Sequence, residues 1–88
     1  MTKYTVTWHP KALAQLADLW TKHTDLRDDI NAASRLIDRH LQWDAHAKGE
    51  ILPDGLKGEI VPPLVVVFTV SESDRLVDIG AIRLARQS

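Results

Sequence analysis

The side chains with the widest chemical range in this sequence are its histidines, His9, His23, His40 and His46. A helical metal site needs two of them about one turn apart on one face, and no pair has that spacing. His40 and His46 are six residues apart, which places them on different faces of a helix. His9 and His23 fall at expected helix ends, where His23 suits the negative end of the dipole. Ser34, Ser71 and Ser73 lack the strand-turn-helix setting of an activated nucleophile. Asp54-Gly55 and the scattered glycines are turn formers rather than a phosphate loop. With no cysteine in the chain, thiolate chemistry, disulfides and cysteine zinc sites are excluded. Neither a metal nor a cofactor is expected.

Whatever chemistry the chain performs must be positioned by one small scaffold of 88 residues, read as a single domain over 1–88. Its hydrophobic content of 44% and charged content of 26% suit a folded globular domain. Eleven Lys and Arg offset twelve Asp and Glu for a net charge of −1, with the signs mixed along the chain. A surface that grips polyphosphate along its whole extent is disfavoured, because such affinity comes from clustered positive charge. No apolar run approaches a membrane span, so no membrane partner is expected. The N-terminal Met1-Thr2-Lys3-Tyr4 lacks the apolar core of a signal peptide, and a cytoplasmic protein is expected.

The organising element is Leu64-Val65-Val66-Val67-Phe68-Thr69-Val70, apolar at six of seven positions and rich in β-branched residues. It reads as a strand covered on both faces. Before it, Tyr4-Thr5-Val6-Thr7-Trp8 alternates as a strand with Tyr4, Val6 and Trp8 on one face. Pro10 opens a helix to about His23 with the stripe Leu13, Leu16, Ala17 and Trp20. Thr24 or Asp25 is expected to cap a second helix, with Ile30, Ala33, Ile37 and Leu41 as its stripe and Asp28 and Asp29 in its first turn. Ala47 to Gly58 is turn-rich. Glu59-Ile60-Val61, beginning as early as Leu56, forms a short strand, and Pro62-Pro63 a tight connection. The last strand runs from Arg75 to Ile82, with Val77, Ile79 and Ala81 on one face. Trp8 and Trp20 are expected in the core, and Trp43 is the tryptophan least expected to be buried. The order β-α-α-β-β-β predicts an α+β fold: an antiparallel meander, the first strand added to it, and a helical hairpin on one face.

This order resembles the RelE/ParE superfamily of toxins from bacterial type II toxin–antitoxin systems. The likeness is carried by Tyr4-Thr5-Val6-Thr7-Trp8-His9-Pro10-Lys11-Ala12, by Leu16-Ala17-Asp18-Leu19-Trp20 and Ile37-Asp38-Arg39 in the helices, and by the meander from Ile60 to Ile79. The resemblance implies a toxin neutralised by a cognate antitoxin. It places first an action on translation, as a metal-independent nuclease that cleaves mRNA on the ribosome. The alternatives are a ParE-like inhibitor of DNA gyrase that catalyses nothing, and a member that only binds an antitoxin-like partner. Compared position by position with the nucleases, Lys57 matches a basic residue entering the second strand, the first of the meander. Glu59 shares its strand face, and Arg83 or Arg86 matches the basic residue ending the last strand. These would take a proton from the attacking 2′-hydroxyl and stabilise the phosphate charge. Val65 stands where the nucleases carry an Arg, and no Tyr or His follows Arg83.

Overall fold

The computed structural model describes residues 1–85. Strand β1 (Thr5–Trp8) leads into helix α1 (Pro10–Lys22), and helix α2 (Arg27–Leu41) follows a 3-10 turn over Thr24–Leu26. Four strands complete the chain: β2 (Glu50–Ile51), β3 (Lys57–Val61), β4 (Leu64–Ser71) and β5 (Leu76–Leu84). They form one sheet in the order β1-β5-β4-β3-β2. The meander β3-β4-β5 is antiparallel, as its short turns dictate, while β1 adds in parallel to the outer edge of β5. The helices pack on one face, so the fold is α+β with an open sheet. The two-residue β2, antiparallel to β3, comes from the turn-rich stretch and extends the expected order.

The core lies between the helices and one sheet face. Leu64, Val66 and Phe68 alternate along β4 with no exposed surface, opposite Ile30, Ile37 and Leu41 of α2. Residues two apart on a strand share a face, which gives β4 its buried row. Val65 and Val67 between them are only half-buried, because among the described residues no second layer covers their side. The expectation that this strand is covered on both faces is therefore corrected.

The stripe of α2 is the expected one, but that of α1 is rotated. Ala12 is its one buried residue, with Leu16 and Leu19 half-buried, whereas Leu13 is 49% and Trp20 38% exposed. Positions 12, 16 and 19 obey helical spacing as well as 13, 16, 17 and 20, so periodicity alone could not choose between them. The choice follows from where α1 lies. It runs beside β5, and Gln15 Oε1 accepts the Ile82 N–H at 2.8 Å. That N–H sits on the edge of β5 beyond the reach of β1, so the glutamine satisfies an otherwise bare edge donor. Trp20 sits at the hairpin end, with the Arg27 guanidinium 4.0 Å from its ring and Arg27 Nε donating to its carbonyl at 2.9 Å. α2 accordingly starts at Arg27, and neither Thr24 nor Asp25 caps it. Trp43 and Trp20 are equally exposed.

Trp8 joins β1 to α2 through its indole N–H, which donates to Asp38 Oδ1 at 2.7 Å. The N-terminal segment is clasped at the exit of α2. Tyr4 N–H donates to the Gln42 carbonyl and Asp44 N–H to the Thr2 carbonyl, each at 2.7 Å. Thr2 N–H donates to the Asp44 carboxylate, also at 2.7 Å. This backbone bond is the largest influence on Asp44 and holds its carboxyl below the ordinary value of 3.8. The folded value is the depressed one, so the clasp stabilises the fold above the unfolded value and stops doing so as pH falls through the folded one. Thermal melts of wild type and Asp44→Ala should differ near neutrality and converge as pH falls through the lowered carboxyl value of the folded state. A difference that stays constant down to that pH would show that the carboxylate charge contributes nothing.

Candidate functional site

The uncovered face of the sheet carries the candidate site, and its composition is set by strand register. Lys57 lies opposite Phe68, Glu59 opposite Val66, and Val61 opposite Leu64. Cross-strand partners share a face, so Lys57 and Glu59 project to the helical side with the buried row of β4. Gly58 and Ile60, opposite Val67 and Val65, belong to the open side.

On β5 the register shifts: Val67 pairs with Ala81 but Phe68 with Ile79, leaving Gly80 as an extra residue. Such a bulge reverses the facing of everything beyond it. Ile82 therefore joins Val77 and Ile79 in the core, and Ala81 and Arg83 turn to the open face beside Val67 and Val65. This corrects the simple alternation that grouped Ala81 with Val77 and Ile79.

The open face has two zones. Near β1 it is polar, with Thr7 Oγ1 donating to the Val77 carbonyl at 3.1 Å and lying 3.5 Å from Asp78 Oδ1. Toward β3 it is apolar, floored by Ile60, Val65, Val67 and Ala81. The loop after β2 folds over this zone, so that Leu52 and Leu56 wall it. Gly58 makes that possible: a Cβ there would stand 3.0 Å from Leu52 Cδ1. Arg83 borders the hollow on the β5 side. Among the described residues it makes no ion pair.

The four residues singled out from the sequence are thus divided. Lys57 and Glu59 share a face, as expected, but their charged groups have partners within the fold. Lys57 Nζ donates to the carbonyls of His46 at 2.6 Å and Lys48 at 2.9 Å, and reaches that of Ala45 at 3.5 Å. It pins the 3-10 turn Ala45–Ala47 that follows α2. Glu59 faces His40 of α2, whose Nε2 lies 3.0 Å from Oε1 and 2.9 Å from Oε2. Arg83 stands on the other side of the sheet, and Arg86 lies outside the described residues. The same turn holds His46, whose Nδ1 is 2.9 Å from the Tyr4 hydroxyl. Lys48 Nζ closes it by donating to the His40 carbonyl. No sequence signal singled out Leu52, Leu56, Ile60 or Ala81. The apolar β4 run, unbroken at Val65 and Val67, was the trace of this face.

No protein-family model and no curated protein sequence matches the chain. Solved structures match it over essentially its full length. The RelBE2 toxin–antitoxin complex of Mycobacterium tuberculosis superposes with a TM-score of 0.79 at 16% identity, over 99% of this chain and 97% of that one. The chromosomal ParDE toxin–antitoxin system of P. aeruginosa gives 0.69 at 19% identity, over 98% and 100%. The archaeal RelE–RelB complex of Pyrococcus horikoshii gives 0.66 at 14% identity, over the whole of both chains. The chain has the RelE/ParE fold, as its order of elements implied.

Proposed function

We propose that this protein is the toxin of a type II toxin–antitoxin pair, that a cognate antitoxin neutralises it, and that it acts by docking on a protein target rather than by cutting RNA. The full-length fold likeness to toxins solved in complex with antitoxins supports the first two parts. One observation carries the third: the open sheet face is an apolar hollow bordered by a single described arginine. In-line attack by a 2′-hydroxyl needs a base, cations around the phosphate and a proton donor for the leaving oxygen. Lys57 and Glu59 are engaged with carbonyls and with His40 on the other face, so among the described residues only Arg83 borders the hollow as a cation. An apolar hollow edged by Arg83 and by the acidic Glu50 and Asp54 suits a protein surface better than a polyanion. DNA gyrase is the protein target that the resemblance supplies.

The test is primer extension on translated mRNA, run beside a gyrase supercoiling assay. The expected result is intact mRNA and blocked supercoiling. Ribosome-dependent cleavage would return the protein to the nuclease class.

A further inference from the structure

We propose that the outer face of α2 is a self-association surface, on which a second copy of this chain packs its own α2 antiparallel to the first. The surface lies on the helical side of the sheet, and the inference does not rest on the docking reading above.

The outer face carries apolar groups that the core does not use. Ile30, Ala33, Ile37 and Leu41 form the buried stripe of α2. Leu36 is 48% exposed, and Ala32 and Pro62 are exposed as well. Ala32, Ala33 and Leu36 line a hollow between α2 and the β3-β4 turn, with Pro62 and Pro63 as its other wall. Leucine and proline meet water there, so covering the hollow is favourable.

The charges on the same helix identify the cover. Asp28 and Asp29 stand in its first turn and Arg39 in its last. Ala32 and Leu36 lie between them, so the outer face runs acidic, small, large, basic. Reversing that order about Ser34 produces its own complement, as an interface between identical copies requires. The acidic turn of one copy meets Arg39 of the other, and Leu36 of each enters the space over Ala32 of its partner. Large against small is the arrangement that lets packed helices interdigitate. Arg39 is exposed and makes no ion pair among the described residues. Its neighbours are already engaged, Asp38 with the Trp8 indole and His40 with Glu59. Opposed helix dipoles favour the same direction. A parallel pair would set Asp28 and Asp29 against their own copies, and a polyanion would meet the same two acids.

A strip of about three helical turns is smaller than a standard interface, so association belongs to the micromolar range rather than the nanomolar. The open face of the sheet lies on the other side, so both copies keep it free and the dimer presents it twice.

Sedimentation equilibrium of the full chain, from about 5 to 500 µM, is the test. Wild type should pass from monomer to dimer across that range. Leu36→Glu puts a charge at the centre of the contact, at an exposed position, and should weaken association about ten-fold or more. Charge pairing is read with two variants, Arg39→Glu and the double change Asp28→Lys, Asp29→Lys, each checked for folding by circular dichroism. Either one alone sets like charge against like, and should be monomeric where wild type is dimeric. Mixed in equal amounts they should form a heterodimer, because every acidic turn then meets a basic one. A wild type that stays monomeric at every concentration would leave the face to a different protein and overturn the proposal. Dimerisation untouched by Leu36→Glu, or two charge variants that stay monomeric when mixed, would overturn it as well.

Discussion

Phe68→Ala should lower stability by about 3–5 kcal/mol. The ring is fully buried on the central strand, and its tip reaches beneath Gly49, where an added Cβ would stand 3.0 Å from Cζ. Gly49 has a φ of +79°, so the backbone there is in a conformation that resists compensating side chains. The cavity left by alanine is therefore walled by sheet, helix and a turn that cannot easily close on it. A domain of this size has about 5–10 kcal/mol in total, so the variant should be partly unfolded at physiological temperature. Phe68→Leu, which keeps most of the volume, should cost roughly 1–2 kcal/mol. Chemical denaturation measures both. A midpoint unmoved by alanine would mean that β4 is not the centre of the core.

The second large effect separates two residues that the sequence put together. Lys57→Met should cost about 1.5–3 kcal/mol, because it strips a charged donor from the carbonyls that end the α2 exit turn. Arg83→Met should change stability by less than about 0.5 kcal/mol, since Arg83 is exposed and makes no ion pair among the described residues. The effects on function should be inverted: Arg83→Met should weaken growth inhibition, and Lys57→Met should weaken it only in proportion to the folded fraction lost. If Lys57→Met were as stable as wild type and yet inactive, the lysine would be part of a reacting site, as the resemblance implies.

These two residues mark where the sequence stopped being legible. That Lys57 and Glu59 share a face follows from strand periodicity. Which face it is depends on the register of Lys57 against Phe68, a property of the pair of strands and not of either one. The facing of Arg83 depends on the single extra residue at Gly80. A glycine in a strand is compatible with a bulge but does not require one, and without it Arg83 would point toward the helices. The β4 strand, the α2 stripe and the Pro62-Pro63 hairpin were readable, because each is specified by local composition that admits one arrangement. The α1 stripe was not, since two sets of apolar positions satisfy the same period and only the place of α1 beside β5 selects one. The valines of β4 were misread for a related reason. An unbroken apolar run is compatible with cover on both faces but does not require it. It does not record whether the second cover comes from the same chain.

The missing cover is the central claim, and growth arrest is its most direct measure. Wild type and Val67→Lys would be expressed from a tightly controlled promoter in a bacterial host, with soluble, folded protein quantified for each. Wild type should arrest growth. Val67→Lys, folded because its side chain enters an uncovered face, should not, since a charge now stands in the middle of the docking floor. Equal arrest by the two proteins would contradict the claim and move the site of action away from the open face of the sheet.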